Sequence, residues 1–128
     1  MNRIERQRER TVLLTGFTPF GGERVNPSWQ AVRALGGATI EDHRVVVAEL
    51  PCEFDASLPA LWRAVRRHEP RVAIAVGLAG GRDGISLERV AINVIDARIP
   101  DNAGAQPVDE PVLGSGAAAF FTTLPIKA

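Results

Sequence analysis

An acidic residue inside an apolar segment is the first place where this sequence could carry chemistry. Glu88 lies in the stretch GISLERVAINVIDARIPDN, residues 84–102. Alternation along an extended chain would place it on one face with β-branched residues, Val90, Ile92 and Val94. We therefore predict a packed strand that holds a carboxylate away from water. One interpretation is structural, an ion pair with Arg82 or Arg98 or exposure at a strand end. The other is catalytic, a carboxylate that orients the histidine of a nucleophile–base–acid relay.

Two phenylalanines lie in a glycine-containing loop, TGFTPFGG, residues 15–22. Phe17 and Phe20 flank Pro19 at the carboxyl end of an apolar run, where α/β sheets place their ligands. The loop matches neither the G-x-G-x-x-G nor the G-K-[ST] pattern of phosphate loops. An apolar, rigid loop suits a flat uncharged ring better than a phosphate, unless both rings simply fill the core. A second glycine-rich loop, residues 77–84, would let a ligand approach the backbone.

The single cysteine, Cys52, is a tempting nucleophile, but its neighbours argue against that role. A catalytic cysteine needs a nearby base and an electropositive setting that lowers its pKa. Cys52 instead precedes Glu53, whose negative charge would raise the pKa of the thiol. His43 lies in a polar connector and His68 at the end of an amphipathic helix, so we interpret both as surface residues. Cys52 is then a packing or pocket residue.

Alternating strands and helices must position these side chains. Three short apolar runs predict buried strands, residues 11–16, 44–50 and 71–77. The helix between the first two begins at Pro27, after Asn26 as N-cap, and ends at Gly36 and Gly37. A second helix lies between residues 55 and 70. Beyond them we predict an extended segment (85–96), a loop (99–111), a short helix (114–124) and the first turn of another helix at Pro125. This rhythm indicates an α/β fold with a parallel sheet covered on both faces.

Composition excludes several classes of function. The 128 residues suffice for one domain with a core. Basic and acidic residues number 15 each, so a net charge of zero offers no footprint for nucleic acid or a membrane surface. One cysteine allows no internal disulfide and fits a reducing cytoplasm, and with 2 histidines it makes a structural zinc site hard to build. Residues 1–10 lack the apolar core of a signal peptide, and we predict a disordered tail.

Together these stretches resemble the pyrrolidone-carboxylate peptidases, cysteine peptidases that remove an N-terminal pyroglutamyl residue. The resemblance covers nearly all of residues 11–128 and is most specific in the run from Gly77 through ISLERVAIN. It implies a three-layer α/β/α sandwich around a mixed, mostly parallel sheet, incomplete in this chain, so that residues 11–128 form the N-terminal portion of a single domain. It also implies a Cys-His-Glu triad without a metal or other cofactor, substrate peptides with N-terminal pyroglutamate, and a cytoplasmic homotetramer.

The resemblance also assigns roles to individual residues. Glu88 matches the glutamate of the triad, and the substrate-binding set comprises Phe17 and Phe20, which hold the pyrrolidone ring, with Cys52, Ile99, Leu78 and Arg98. Many members carry glutamine at the position of Leu78, so the polar contact of that glutamine is absent here. The family's nucleophilic cysteine and its histidine lie beyond the closing stretch LPIKA, and we therefore expect a chain truncated at its C-terminus and inactive by itself. Two rival functions remain, an inactive module that binds pyroglutamyl groups and a nucleotide-binding α/β domain.

Overall fold

The computed structural model of the protein describes residues 2–3 and 10–127. These residues form two compact units. The first comprises the described residues up to Leu78 together with Asp101–Ala105, and the second comprises Ala79–Pro100 together with the described residues from Gln106 onward. Most of the predicted tail, residues 1–10, lies outside the described residues. The assignment of residues 11–128 to a single domain stays a prediction.

The first unit contains a four-stranded mixed sheet and two helices. Along the chain the elements are β1 (Thr11–Phe17), α1 (Pro27–Leu35), β2 (Thr39–Ile40), β3 (His43–Leu50), α2 (Phe54–His68) and β4 (Val72–Ala75). The strand order is β2-β3-β1-β4. β1 pairs in parallel with both β3 and β4, whereas the short β2 pairs antiparallel with β3. The predicted mixed, mostly parallel sheet is confirmed, and β2 is an addition that the sequence patterns did not reveal.

The chain crosses the sheet in opposite directions. The connection through α1 runs from β1 to β3, and the connection through α2 runs from β3 back past β1 to β4. Because crossovers between parallel strands are right-handed, opposite directions place the two helices on opposite faces. The first unit is therefore layered helix, sheet, helix, in agreement with the predicted architecture.

The predicted boundaries of α1 are confirmed and have a physical cause. Asn26 adopts an extended conformation, and its side chain accepts a hydrogen bond from the backbone N–H of Ser28. Pro27 occupies the first turn, where a missing N–H costs nothing. After the helix, Gly37 takes a φ of 82°, a left-handed conformation that favours glycine. The boundaries follow from local chemistry, which explains why the sequence alone revealed them.

The core of the first unit lies around β1, which is flanked by strands on both sides. Its buried apolar side chains come from two strands and both helices: Leu13, Val32, Val45, Leu50 and Ala64. Gly16 faces α1 so closely that a Cβ there would lie 2.7 Å from the Cα of Trp29. Absence of a side chain at Gly16 therefore allows the first turn of α1 to pack directly on β1.

The second unit contains a small antiparallel pair, β5 (Val90–Ile92) with β6 (Ala119–Phe121). Within the predicted extended segment 85–96 the structure has the three residues of β5 and, at Ile95, an isolated antiparallel bridge to Glu110. The predicted helix over 114–124 is wrong, since residues 119–121 pair with β5 and Phe120 and Phe121 favour a strand. The helical turn predicted at Pro125 is also wrong for residues 125–127, because one isolated turn cannot offset its nucleation cost.

Neither of the helices α1 and α2, within the residues that the structure describes, combines the length and apolar character that a bilayer crossing requires.

Candidate functional site

The segment Phe17–Phe20, here called the aromatic loop, begins at the last residue of β1 and is fixed by the start of α1. The hydroxyl of Ser28, a residue buried in the first turn of α1, accepts a hydrogen bond from the backbone N–H of Phe17 at 3.1 Å. The side-chain amide of Asn26 donates to the carbonyl of Thr18 at 3.1 Å. Phe17 and Phe20 are both half-buried. The rings therefore stand on a backbone that α1 holds in place, with part of their surface open.

A second loop, Pro51–Glu53, here called the cysteine loop, lies beside the aromatic loop. Thr18 joins the two, because its hydroxyl accepts a hydrogen bond from the backbone N–H of Cys52 at 2.9 Å. The backbone N–H of Thr18 donates to the carbonyl of Leu50, also at 2.9 Å. The structure thus places the backbone of Cys52 beside Thr18, the residue that follows Phe17 in the aromatic loop.

The turn Asp101–Ala105, here called the Asp101 corner, contacts both loops. The side-chain amide of Asn102 donates to the carbonyl of Pro19 at 2.8 Å, and its backbone N–H donates to the carbonyl of Cys52 at 3.1 Å. The carboxylate of Asp101 accepts a hydrogen bond from the backbone N–H of Phe54 at 2.8 Å, at the start of α2. The Asp101 corner therefore bonds to the aromatic loop, to the cysteine loop and to the first residue of α2, the helix that follows the cysteine loop.

The environment of Cys52 disfavours its thiolate. Burial raises the pKa of the thiol most, and the negative charges of Asp101 and Glu53 raise it further. The predicted direction of the shift is confirmed. A protonated thiol is a weak nucleophile but a compatible lining for an apolar ring pocket.

Glu88 occupies a different environment from the one predicted. It lies two residues before β5 rather than inside a strand, and its side chain is 72% exposed. The face expected to be packed is open, since Val90, Ile92 and Val94 are all exposed. The carboxylate Oε1 lies 2.7 Å from Nη1 of Arg82, the first ion-pair partner that the structural interpretation named. The prediction of a desolvated carboxylate is therefore wrong for the described residues, because no packed strand surrounds it.

The remaining predicted site residues are exposed. Leu78 lies near the start of the glycine-rich loop, residues 77–84, and is 50% exposed. Arg98 and Ile99 lie in the second unit, on the segment that runs into the Asp101 corner, and Ile99 is 51% exposed. In this second unit the backbone N–H of Ala97 donates to the carbonyl of Pro107 at 2.9 Å, which holds the segment just before Arg98.

Comparison with known proteins decides the family. The sequence profile of the family described as "Pyroglutamyl peptidase" matches residues 10–128, which is nearly the whole chain. The chain belongs to the pyroglutamyl peptidase family. It is 65% identical over 119 residues to the pyrrolidone-carboxylate peptidase of Chromobacterium violaceum, a match that covers 93% of this chain and 57% of that protein. The Streptomyces coelicolor pyrrolidone-carboxylate peptidase is 58% identical over 117 residues, with 91% of this chain and 54% of that protein covered.

Solved structures agree with the family assignment. The pyroglutamyl peptidase I of Bacillus amyloliquefaciens superposes with a TM-score of 0.89 at 54% identity, over 93% of this chain and 57% of that one. A mutant pyrrolidone carboxyl peptidase from Pyrococcus furiosus superposes with a TM-score of 0.88 at 47% identity, over 91% and 56% of the two chains. The chain thus spans about half the length of the pyroglutamyl peptidases it matches.

Three residues of this pyroglutamyl peptidase chain escaped the sequence analysis although they organise the loops: Thr18, Asp101 and Asn102. Their roles depend on partners far away in sequence, 83 residues for the bond from Asn102 to Pro19 and 47 for the bond from Phe54 to Asp101. A local signal did exist for Asp101, because Asp followed by Asn, Ala and Gly is typical of a turn in which the carboxylate accepts backbone N–H groups.

Proposed function

We propose that this chain is the N-terminal part of a cysteine peptidase that removes N-terminal pyroglutamate from peptides. The observation that carries the proposal is the match of residues 10–128 to the pyroglutamyl peptidase family, joined to 65% identity with a pyrrolidone-carboxylate peptidase. The reaction we propose is acyl transfer. A thiolate attacks the carbonyl that joins pyroglutamate to the next residue and forms a thioester. The peptide C–N bond breaks, an imidazolium protonates the departing amine, and water then hydrolyses the thioester to release pyroglutamate.

The aromatic and cysteine loops form the part of the pocket that receives the pyrrolidone ring. Phe17 and Phe20 contact the neutral ring through dispersion, and the protonated thiol of Cys52 adds an uncharged wall. An N-terminal glutamyl residue would bring an ammonium and a carboxylate into the same place. Their desolvation costs several kcal/mol when no partner compensates, on the order of the penalty for burying unpaired charges, so the pocket selects the cyclised residue.

Glu88 is the carboxylate that we assign to the relay. Arg82 engages Oε1 of this carboxylate, so Oε2 is the acceptor we assign to the N–H of an imidazole. Such a bond fixes the tautomer in which the other ring nitrogen can accept the proton of the nucleophile. An exposed ion pair contributes only about 0–1 kcal/mol, so Arg82 is easily displaced or rearranged when a histidine approaches.

Ile99, Leu78 and Arg98 complete the proposed substrate-binding set. Ile99 supplies further apolar surface to the ring, and Arg98 supplies a positive charge near the scissile region. Leu78 replaces a glutamine that many members carry, and we expect it to offer the substrate apolar contact without a hydrogen bond. Each of these assignments comes from the position of the residue in the family motif.

The nucleophilic cysteine and its histidine are, in this proposal, supplied by polypeptide beyond residues 1–128. Cys52 is the single cysteine of the chain, and its raised pKa disfavours the thiolate. We further propose that the complete protein is a cytoplasmic homo-oligomer. The absence of an internal disulfide from residues 1–128 fits a reducing compartment, and the exposed apolar residues between Ile92 and Ile99 offer a surface for a subunit contact.

A fusion experiment tests the proposal. Residues 11–127 are joined to the remaining C-terminal portion of the Chromobacterium violaceum relative, and cleavage of a fluorogenic pyroglutamyl amide is measured for the fusion and for the chain alone. We expect activity in the fusion only, and a loss of about 10⁴-fold in kcat for its Glu88→Gln variant, the size that replacing a relay carboxylate by its amide causes in a Ser-His-Asp triad. Glu110→Gln, an exposed carboxylate of the second unit, is the matched control.

Two outcomes would contradict the proposal. A folded fusion without cleavage, but with binding of pyroglutamyl amide, would favour the rival function of a pyroglutamyl-binding module. A fusion in which Glu88→Gln and Glu110→Gln are equally active would remove Glu88 from the relay. Family membership favours both peptidase-related functions over a nucleotide-binding domain, and a rise in melting temperature with added nucleotide would reverse that preference.

A further inference from the structure

The Asp101 corner holds the aromatic loop and the cysteine loop together. Asn102 bonds to both loops, since its side-chain amide donates to the carbonyl of Pro19 at 2.8 Å and its backbone N–H donates to the carbonyl of Cys52 at 3.1 Å. Thr18 closes the arrangement from the other side through the N–H of Cys52 at 2.9 Å. The backbone of the cysteine loop is therefore held at both its N–H and its carbonyl by residues from different parts of the chain.

Asp101 anchors the corner to α2. The N-cap of that helix, Glu53, makes no side-chain capping bond, and the N–H of Phe54 is instead bound by the Asp101 carboxylate 47 positions away. The second oxygen of the carboxylate accepts N–H groups of the corner itself, those of Ala103 at 2.9 Å and Ala105 at 2.8 Å. A carboxylate at a helix N-terminus also interacts favourably with the helix dipole. Asp101 thus supplies a cap from a distant segment and at the same time closes its own turn.

We propose that Asp101 and Asn102 are positioning residues that set the separation of the aromatic loop from the cysteine loop. The inference builds on the proposed function, in which these two loops receive the pyrrolidone ring. Binding of a small rigid ring depends on how closely the two loops contact it. A gap of even 0.5–1 Å weakens each dispersion contact by roughly a quarter to a half. The corner acts through the loops and does not itself contact the ring.

The location of these bonds distinguishes positioning from general stabilisation. The bonds from Asn102 to Pro19 and from Phe54 to Asp101 are exposed. Water can replace an exposed partner, so their removal leaves no buried unsatisfied group and changes global stability little. The core residues around Leu13 are buried in the centre of the sheet and do not depend on the corner. Loss of the corner should therefore open the loops locally while the sheet remains folded.

Amide hydrogen exchange on the 128-residue chain tests the proposal without any catalysis. In Asn102→Ala we expect the amides of Cys52, Phe54 and position 102 to exchange about tenfold faster, the equivalent of one lost hydrogen bond. The amide of Leu13 should be unchanged. Asn102→Asp keeps the shape of the side chain but loses the donor, and should behave as Asn102→Ala does. Asn93→Ala is the matched control, because Asn93 makes two bonds to Leu113 within the second unit.

Titration with L-pyroglutamyl amide, followed by NMR, supplies the functional readout. We expect Asn102→Ala to weaken binding of the amide about tenfold, the equivalent of one lost hydrogen bond. Asn93→Ala should leave the affinity within about twofold of that of the unaltered chain. Unchanged exchange of Cys52 and Phe54 in both Asn102 variants overturns the positioning role. Equal acceleration at Leu13 also overturns it, since the effect would then be global. Faster loop exchange with no binding of the amide by the unaltered chain contradicts the proposed function instead, and leaves the loop geometry supported.

Discussion

Substitution of Gly16 by alanine tests the packing of α1 on β1. An alanine Cβ would lie 2.7 Å from the Cα of Trp29, 2.8 Å from its N and 2.9 Å from the carbonyl carbon of Ser28. All three are backbone atoms, so no side chain can rotate away. Since carbon atoms pack at about 3.5–4.0 Å, the first turn of α1 has to retreat by about 1 Å. Strand propensity alone predicts the opposite sign, because alanine favours a strand over glycine by about 0.5–1 kcal/mol.

The retreat also breaks a hydrogen bond. Ser28 holds the N–H of Phe17 at 3.1 Å, and a shift of about 1 Å takes that contact beyond hydrogen-bond distance. Overpacking costs about 1–3 kcal/mol, and a part-buried N–H without a partner costs a similar amount, so we expect a loss of about 2–6 kcal/mol in the free energy of unfolding. Such a loss is a large fraction of the roughly 5–15 kcal/mol that stabilises a typical domain.

Urea denaturation at low micromolar concentration measures this loss. Both tryptophans, Trp29 in α1 and Trp62 in α2, lie in the first unit, so their fluorescence follows its unfolding. Gly77→Ala is the matched control, because a Cβ there meets nothing within 4 Å, and we expect a change of at most about 1 kcal/mol. Equal stability of Gly16→Ala and the unaltered chain would refute the packing argument. An equal loss in both variants would point to backbone conformation instead of contact.

Three further predictions concern charge, a buried hydroxyl and exposed apolar surface. Backbone N–H groups, that of Phe54 first, hold the pKa of Asp101 below its ordinary value, so the stability it contributes is present above the unfolded pKa and is lost as the pH falls through the lower folded pKa. In an acid titration followed by circular dichroism, the Asp101→Asn variant should lack this pH-dependent contribution to stability, and a profile equal to that of the unaltered chain would contradict the prediction. Thr15 is 1% exposed and, among the described residues, its hydroxyl has no hydrogen-bond partner. Thr15→Val should therefore raise the free energy of unfolding by about 1 kcal/mol, seen as a higher urea midpoint, and a lower midpoint would contradict the absence of a partner. Phe120 and Phe121 are 65% and 72% exposed on a short strand, so we expect the chain to self-associate. Light scattering should show association that rises with concentration and falls in a Phe120→Ser, Phe121→Ser double variant, whereas a monodisperse unaltered chain would contradict the prediction.

The parts of the fold that the sequence predicted are those that local chemistry determines. α1 begins at an N-cap followed by proline and ends before glycine, and each of these residues acts within one turn of the helix. β1 and β3 are apolar runs whose residue types indicate strands; β1 is largely buried, whereas β3 is buried only at Val45 and Leu50. The family resemblance then added the architecture, which agrees with solved relatives at a TM-score of 0.89.

The parts that the sequence did not predict depend on partners elsewhere. β5 and β6 are three residues each and form only because they pair with one another across about thirty positions of chain, a separation that periodicity within either segment does not encode. The environment of Glu88 was mispredicted for the same reason, since alternation indicates which residues share a face but not what covers that face. Asn102 was missed because its bond partner Pro19 is 83 residues distant.

The anchored aromatic loop and the exposed Glu88 bear on different steps of the proposed reaction, ring binding and proton transfer. In the first unit the backbone of the aromatic loop is held by bonds from Ser28, Asn26 and Asn102, all among described residues, so the proposed ring-binding loop is fixed within this chain. Glu88 is exposed, and at about 4 Å in water two charges interact by only about 1 kcal/mol, against about 4 kcal/mol at a partly buried surface. A relay carboxylate therefore gains its strength from whatever excludes water around it. In our proposal, polypeptide that covers the open face of β5 supplies this exclusion together with the histidine, so we expect ring binding from this chain and catalysis only in the covered state.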